Sequence, residues 1–218
     1  MIRSDAAPPE VGRHRHLKEV IVSFLVTEPA PDFTATAVLG DNSFDENFTL
    51  SSMRGKYVVL FFYPMDFTFV CPTEILAFDE AYDQFKARSA EVVGVSVDSQ
   101  FSHLAWKKTP VDKGGIGPIR YPLVADLKKE IARNFGVLLN DEVALRGLFL
   151  IDREGIVRHA LINDLSLGRN VQEALRMLDA LRFHEEMGDV CPANWSEGDE
   201  GMDASPQGVV DYLSKYAD

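Results

Sequence analysis

The chain has 218 residues, 46% of them apolar, with 22 Lys and Arg against 34 Asp and Glu for a net charge of −12. That length suits one domain with additions, since a domain takes roughly 150 residues, and the acidity argues against a nucleic-acid surface, whose affinity comes from neutralised phosphates. No apolar run approaches the roughly 20 residues of a membrane span, and two cysteines are too few for a zinc finger or a disulfide scaffold, so a soluble cytoplasmic protein is expected.

Residues 1–22 are read as a leader outside the folded unit. Arg13-His14-Arg15-His16 reads as solvated, and the apolar stretch 20–26, broken by Ser23, is too short and wrongly flanked for a signal peptide. It reads instead as an edge strand. Lys18-Glu19-Val20 can be encoded as a bacterial ribosome-binding sequence, which makes Val22 a candidate translation start.

Residues 57–63 are rich in β-branched and aromatic side chains and are closed by Pro64, the pattern of a buried strand. Residues 73–86 place Ile75, Leu76, Phe78, Tyr82 and Phe85 at helical spacing. A second strand is expected at 91–98, a short helix at 102–108, a glycine-rich loop at 113–118, a brief segment at 121–124 and a helix at 128–135. Residues 145–152 and 155–162 form a hairpin across Gly155, whose flexibility suits the turn. The longest helix, 170–187, turns Val171, Leu175, Leu178, Leu181 and Phe183 inward. Beyond Gly188 the chain becomes polar and reads as a mobile tail. Parallel strands with crossover helices, closed by an antiparallel hairpin, describe an α/β thioredoxin-like fold. Its central mixed sheet is flanked by helices over residues 23–188, with a C-terminal extension over 189–218.

Both cysteines occur in one triplet, Val70-Cys71-Pro72 and Val190-Cys191-Pro192. Cys71 follows a buried strand and opens a helix, and Pro72 suits a first helical turn because its missing N–H costs nothing there. Unpaired N–H groups and the helix dipole favour thiolate over thiol at such a place. Against this stands the blander reading of a free cysteine as a small buried hydrophobe. Ionisation by itself accelerates little. Lowering a thiol pKa from about 8.5 to about 6 raises the thiolate fraction at pH 7 roughly thirtyfold, and lost nucleophilicity removes about tenfold of that. Fast chemistry at Cys71 therefore needs groups that stabilise a transition state. Thr68, three residues earlier, can donate and accept a hydrogen bond. Pro64 is rigid and can shield the sulfur from water. Arg146 places a charge at the mouth of an otherwise buried strand, although most arginines simply form surface salt bridges.

The run Pro64-Met65-Asp66-Phe67-Thr68-Phe69-Val70-Cys71-Pro72-Thr73-Glu74 resembles the active-site motif of the typical two-cysteine peroxiredoxins, and within them the bacterial alkyl hydroperoxide reductase C group. Gly188-Asp189-Val190-Cys191-Pro192-Ala193-Asn194-Trp195 resembles the segment that carries their resolving cysteine. The resemblance implies a thiol peroxidase for hydrogen peroxide and organic hydroperoxides. In it Cys71 attacks the peroxide and becomes a sulfenic acid, Thr68 and Arg146 align the substrate, Pro64 covers the pocket and Glu74 orients the arginine. Cys191, from the partner subunit, then closes a disulfide that thioredoxin or a flavoprotein disulfide reductase reopens. It further implies no metal or bound cofactor, no nucleic-acid or membrane partner, and a homodimer able to build decameric rings. Gly114-Gly115-Ile116-Gly117 resembles the loop of over-oxidation-sensitive members, whereas Tyr212-Leu213 stands where those have Tyr-Phe. Two other readings are a disulfide oxidoreductase, disfavoured by the missing Cys-x-x-Cys, and a non-enzymatic holdase or peroxide relay.

Overall fold

The computed structural model of the protein describes residues 25–217, so the leader reading of 1–22 lies outside the described residues. Of the apolar stretch 20–26 only Leu25 and Val26 are described, and they lie in coil and a turn rather than an edge strand.

The first elements are a hairpin, β1 (Thr34–Val38) and β2 (Phe44–Thr49). Sequence patterning misses it because β2 buries only Phe48, leaves Phe44 exposed and is polar at its other positions. Strand β3 (Tyr57–Phe62) comes next, buried at all six positions. After it stand α1 (Cys71–Glu80), α2 (Tyr82–Ala87), β4 (Ala90–Ser96), α3 (Gln100–Lys108), β5 (Leu123–Ala125) and α4 (Glu130–Asn134). A minor hairpin, β6 (Leu138–Leu139) and β7 (Val143–Ala144), precedes β8 (Arg146–Ile151) and β9 (Val157–Asn163). The chain ends with α5 (Val171–Met187) and α6 (Pro206–Leu213).

The seven-stranded sheet runs β2-β1-β5-β4-β3-β8-β9. β3, β4 and β5 pair in parallel, while β8 and β9 complete it antiparallel, as expected for the fold. Alternation along β3 sends Val59, Phe61 and Tyr63 into one core with Cys71, Ile75, Phe78 and Leu178. Val58, Leu60 and Phe62 enter the opposite core with Ile131, Phe135 and Phe149. Phe61 stacks on Phe78 with ring centroids 4.4 Å apart, which fastens the helix after Cys71 onto the central strand.

Two expectations change. The single helix over 73–86 is two, because the backbone pauses at Ala81 (φ −86°, ψ 0°). Apolar spacing cannot show this, since Phe78 and Phe85 stay buried on either side of the pause. The tail, expected to be mobile, is docked. Val190 bridges Met202, Trp195 is 4% exposed with its ring 4.9 Å from that of Phe183, and Arg176 Nη1 donates to the Trp195 carbonyl at 2.6 Å. One tryptophan among polar residues gives no periodicity, yet it buries enough area to hold a short segment.

Candidate active site

Pro64 ends β3 and is buried. Residues 64–70 then turn the chain through Phe67, whose φ is +53°, and deliver it to the first residue of α1, which is Cys71 itself. The cap residue Val70 provides no side-chain hydrogen bond, and Pro72 lies in the first turn. Cys71 is fully buried.

Two of the expected residues meet at the sulfur, and a third, Glu74, holds one of them. Thr68 Oγ1 lies 2.9 Å from Cys71 Sγ and 2.9 Å from the Met65 carbonyl, so its one proton has two acceptors. Arg146 Nη1, at the start of β8, lies 3.5 Å from the sulfur and donates to Glu74 Oε2 at 2.5 Å, while its Nε donates to the Leu165 carbonyl at 2.7 Å. Arg146 is 3% exposed, so the surface-salt-bridge reading does not apply to it. Glu74, one turn along α1 from Cys71, is 3% exposed.

A fourth residue, Arg169, is absent from the sequence reading. Its Nε donates to Glu74 Oε1 at 2.7 Å and its Nη2 to Glu74 Oε2 at 3.0 Å, and its Nη1 reaches the Phe62 carbonyl at 2.9 Å. Burial pulls Arg169 below an ordinary guanidinium, opposed by its hydrogen bonds to Glu74. Two guanidiniums share one carboxylate, which leaves one positive charge uncompensated beside the sulfur. Arg169 could have been suspected from its place: an arginine next to a helix N-terminus opposes the dipole and needs another reason to be there.

Cys191 stands in different surroundings. It is partly buried, its sulfur 3.4 Å from the Ala180 carbonyl on α5, at the wall of a largely apolar cavity of about 270 Å³ lined by His159, Met177 and Leu181. Burial pushes its thiol up, with the charge of Arg176 opposing. Both cysteines are free thiols. The structure therefore brings Thr68, Glu74 and Arg146 to Cys71, leaves Pro64 buried at the strand end, and holds Cys191 against α5.

With this geometry in view, comparison with known proteins gives consistent results. Residues 26–160 match the sequence model of the AhpC/TSA family, and residues 180–215 match that of the C-terminal domain of 1-Cys peroxiredoxin. Alkyl hydroperoxide reductase C of Helicobacter pylori strain J99 is 58% identical over 192 residues, covering 88% of this chain and 97% of that protein. The crystal structure of reduced Plasmodium vivax 2-Cys peroxiredoxin superposes with a TM-score of 0.86 at 53% identity, covering 88% of this chain and all of that one. A Plasmodium yoelii Prx1a, modified at its N-terminus and described as forming an artifactual octamer, gives a TM-score of 0.70 at 58% identity over 78% of this chain and 98% of that one.

Proposed function

Because the chain belongs to the AhpC/TSA family and is a thiol peroxidase, we propose that Cys71 is the sulfur that meets the peroxide and Cys191 the one that resolves it. An electron pair on the Cys71 sulfur attacks the terminal peroxide oxygen. The S–O bond forms as the O–O bond breaks, the departing oxygen leaves protonated as water or an alcohol, and the cysteine is left as a sulfenic acid. Negative charge moves from sulfur to the departing oxygen in this step. Thr68 and Arg146 act on it because one hydroxyl and one guanidinium converge on the reacting sulfur. Glu74, shared by Arg146 and Arg169, fixes both guanidiniums so that little reorganisation is needed during reaction. Pro64, buried at the start of the loop, helps exclude water.

Cys191 then attacks the sulfenic sulfur, an S–S bond forms and water leaves, so the two thiols supply the two electrons that reduce the peroxide. A disulfide needs Cα atoms within about 7 Å. Cys71 lies sealed in the core and Cys191 is docked on α5, so both segments must open locally before they join. A homodimer, assembling further into decameric rings, brings the partner's tail to the site. Self-association is a property of this family, as the Plasmodium yoelii octamer illustrates in altered form. Thioredoxin or a flavoprotein disulfide reductase regenerates the thiols, and a cytoplasmic location suits a cycle that must return to the reduced state. Among the described residues no helix is long and apolar enough to cross a membrane.

The convergence of Thr68 and Arg146 on Cys71 carries this reading. Non-reducing electrophoresis of the reduced protein after one equivalent of hydrogen peroxide tests it. A covalent dimer is expected. Loss of both thiols with a monomeric band would overturn the intersubunit disulfide, and survival of both thiols would overturn the peroxidase assignment to these cysteines.

A further inference from the structure

Three buried titratable side chains lie next to the site and have no part in the chemistry above. Asp66, two residues before Thr68, is 8% exposed, and His103 on α3 and Tyr63 are fully buried. Asp66 Oδ2 lies 2.8 Å from His103 Nδ1, and Asp66 Oδ1 accepts from the Tyr63 hydroxyl at 2.9 Å. The other ring nitrogen, Nε2, faces the Val124 carbonyl on β5 at 3.2 Å. Both imidazole nitrogens thus meet oxygens, one of the Asp66 carboxyl group and one of the Val124 backbone. The contact is short and shut away from solvent, so breaking it would leave a buried polar group unpaired. Burial holds Tyr63 far above an ordinary phenol, so it remains a donor to Asp66. The backbone N–H of Asp66 donates to Asp98 Oδ2 at 2.7 Å, beyond the end of β4.

The 64–70 loop is consequently fastened to α3, to β5 through the imidazole, and to the turn after β4. Directly beyond Asp66 the backbone takes a costly conformation. Phe67 adopts φ +53°, a left-handed geometry that bulky side chains rarely take, and the next residue is Thr68. Such strain persists only where the surroundings over-determine it.

We propose that the buried Asp66–His103 pair is a positioning unit for the peroxide step, holding Phe67 left-handed so that the Thr68 hydroxyl stays aimed at the Cys71 sulfur. This rests on the function proposed above for Cys71 and Thr68. The pair acts through the loop backbone and not on the peroxide.

His103→Gln and Asp66→Asn test the proposal, each assayed by two reactions of Cys71 in the reduced protein. Peroxide reduction needs the aligned hydroxyl, whereas alkylation by iodoacetamide needs only an accessible, reactive sulfur. Each variant should lower the second-order rate with hydrogen peroxide by about ten- to a hundredfold, as misplacement by about an ångström does. Alkylation should stay within about twofold of wild type on the same reasoning. The double variant should be no slower than the slower single one, since either change breaks the same pair. Tyr63→Phe removes one hydroxyl and keeps the ring, so it decides the matter if the other variants fail to fold. It should cost the peroxide rate a few-fold and leave alkylation unchanged. Wild-type peroxide rates in the variants, or peroxide and alkylation rates falling together, would overturn the positioning role. A wild-type protein inert to peroxide would overturn the function itself, and the proposal with it.

Discussion

The two Val-Cys-Pro triplets place the same three residues in opposite chemical surroundings. Cys71 is sealed from solvent yet faces a hydroxyl and a guanidinium that a buried carboxylate holds in place. Cys191 is closer to solvent yet faces a carbonyl and an apolar cavity wall, and burial raises its thiol. Exposure therefore does not rank these thiols. What separates them is a hydroxyl and a guanidinium within hydrogen-bond reach of the sulfur, supplied at Cys71 by the 64–70 loop and β8, whereas Cys191 feels only the charge of Arg176.

The sharpest way to break the contrast is to delete each sulfur in turn. Cys71→Ser should lower peroxide consumption on the order of 10⁴-fold or more, as loss of a covalent nucleophile does. Cys191→Ser should consume one equivalent in a burst and then stop. A burst in Cys71→Ser and none in Cys191→Ser, measured by peroxide remaining against time, would reverse the assignment. Next in size is the paired arginine test. Arg146→Met should slow the peroxide step by about 10²- to 10³-fold, the scale for removing a preorganised charge donor. Arg176→Met, beside Cys191, should leave that step within about twofold, because it touches no group at Cys71. Equal effects would mean that the charge near Cys71 has no special role.

The smallest effect concerns pH. In Cys71→Ser, alkylation of Cys191 should rise with pH along a curve displaced to higher pH than that of a free cysteine, because burial disfavours its thiolate. Adding Arg176→Met should displace it further in the same direction, since the guanidinium lowers the value that burial raises. A curve at or below that of a free cysteine would contradict the partly buried setting of Cys191.

Much of the framework is legible in the chain because β3 and β4 are short apolar runs rich in β-branched or aromatic residues, and α5 buries a face of helical period. Thr68 and Glu74 are legible for a local reason: three residues on either side of Cys71 bring a side chain back to it through one turn. Arg146 is visible as a charge on an apolar strand. For Arg169 the chain offers only its place before a helix N-terminus; its link to Glu74 spans 95 residues and no local pattern names that partner. The docked tail is hidden for a related reason. Its anchors, Phe183, Arg176 and Trp195, come from two segments that look unrelated until α5 brings them together.

The same anchoring has an optical consequence. The protein contains two tryptophans. Trp106 stacks near Phe67 of the 64–70 loop, with ring centroids 5.6 Å apart, and Trp195 rests on Phe183 four residues beyond Cys191. One indole thus borders each segment that must loosen for the sulfurs to join. Intrinsic fluorescence of Trp106→Phe and Trp195→Phe variants would time the two openings separately, with no label attached.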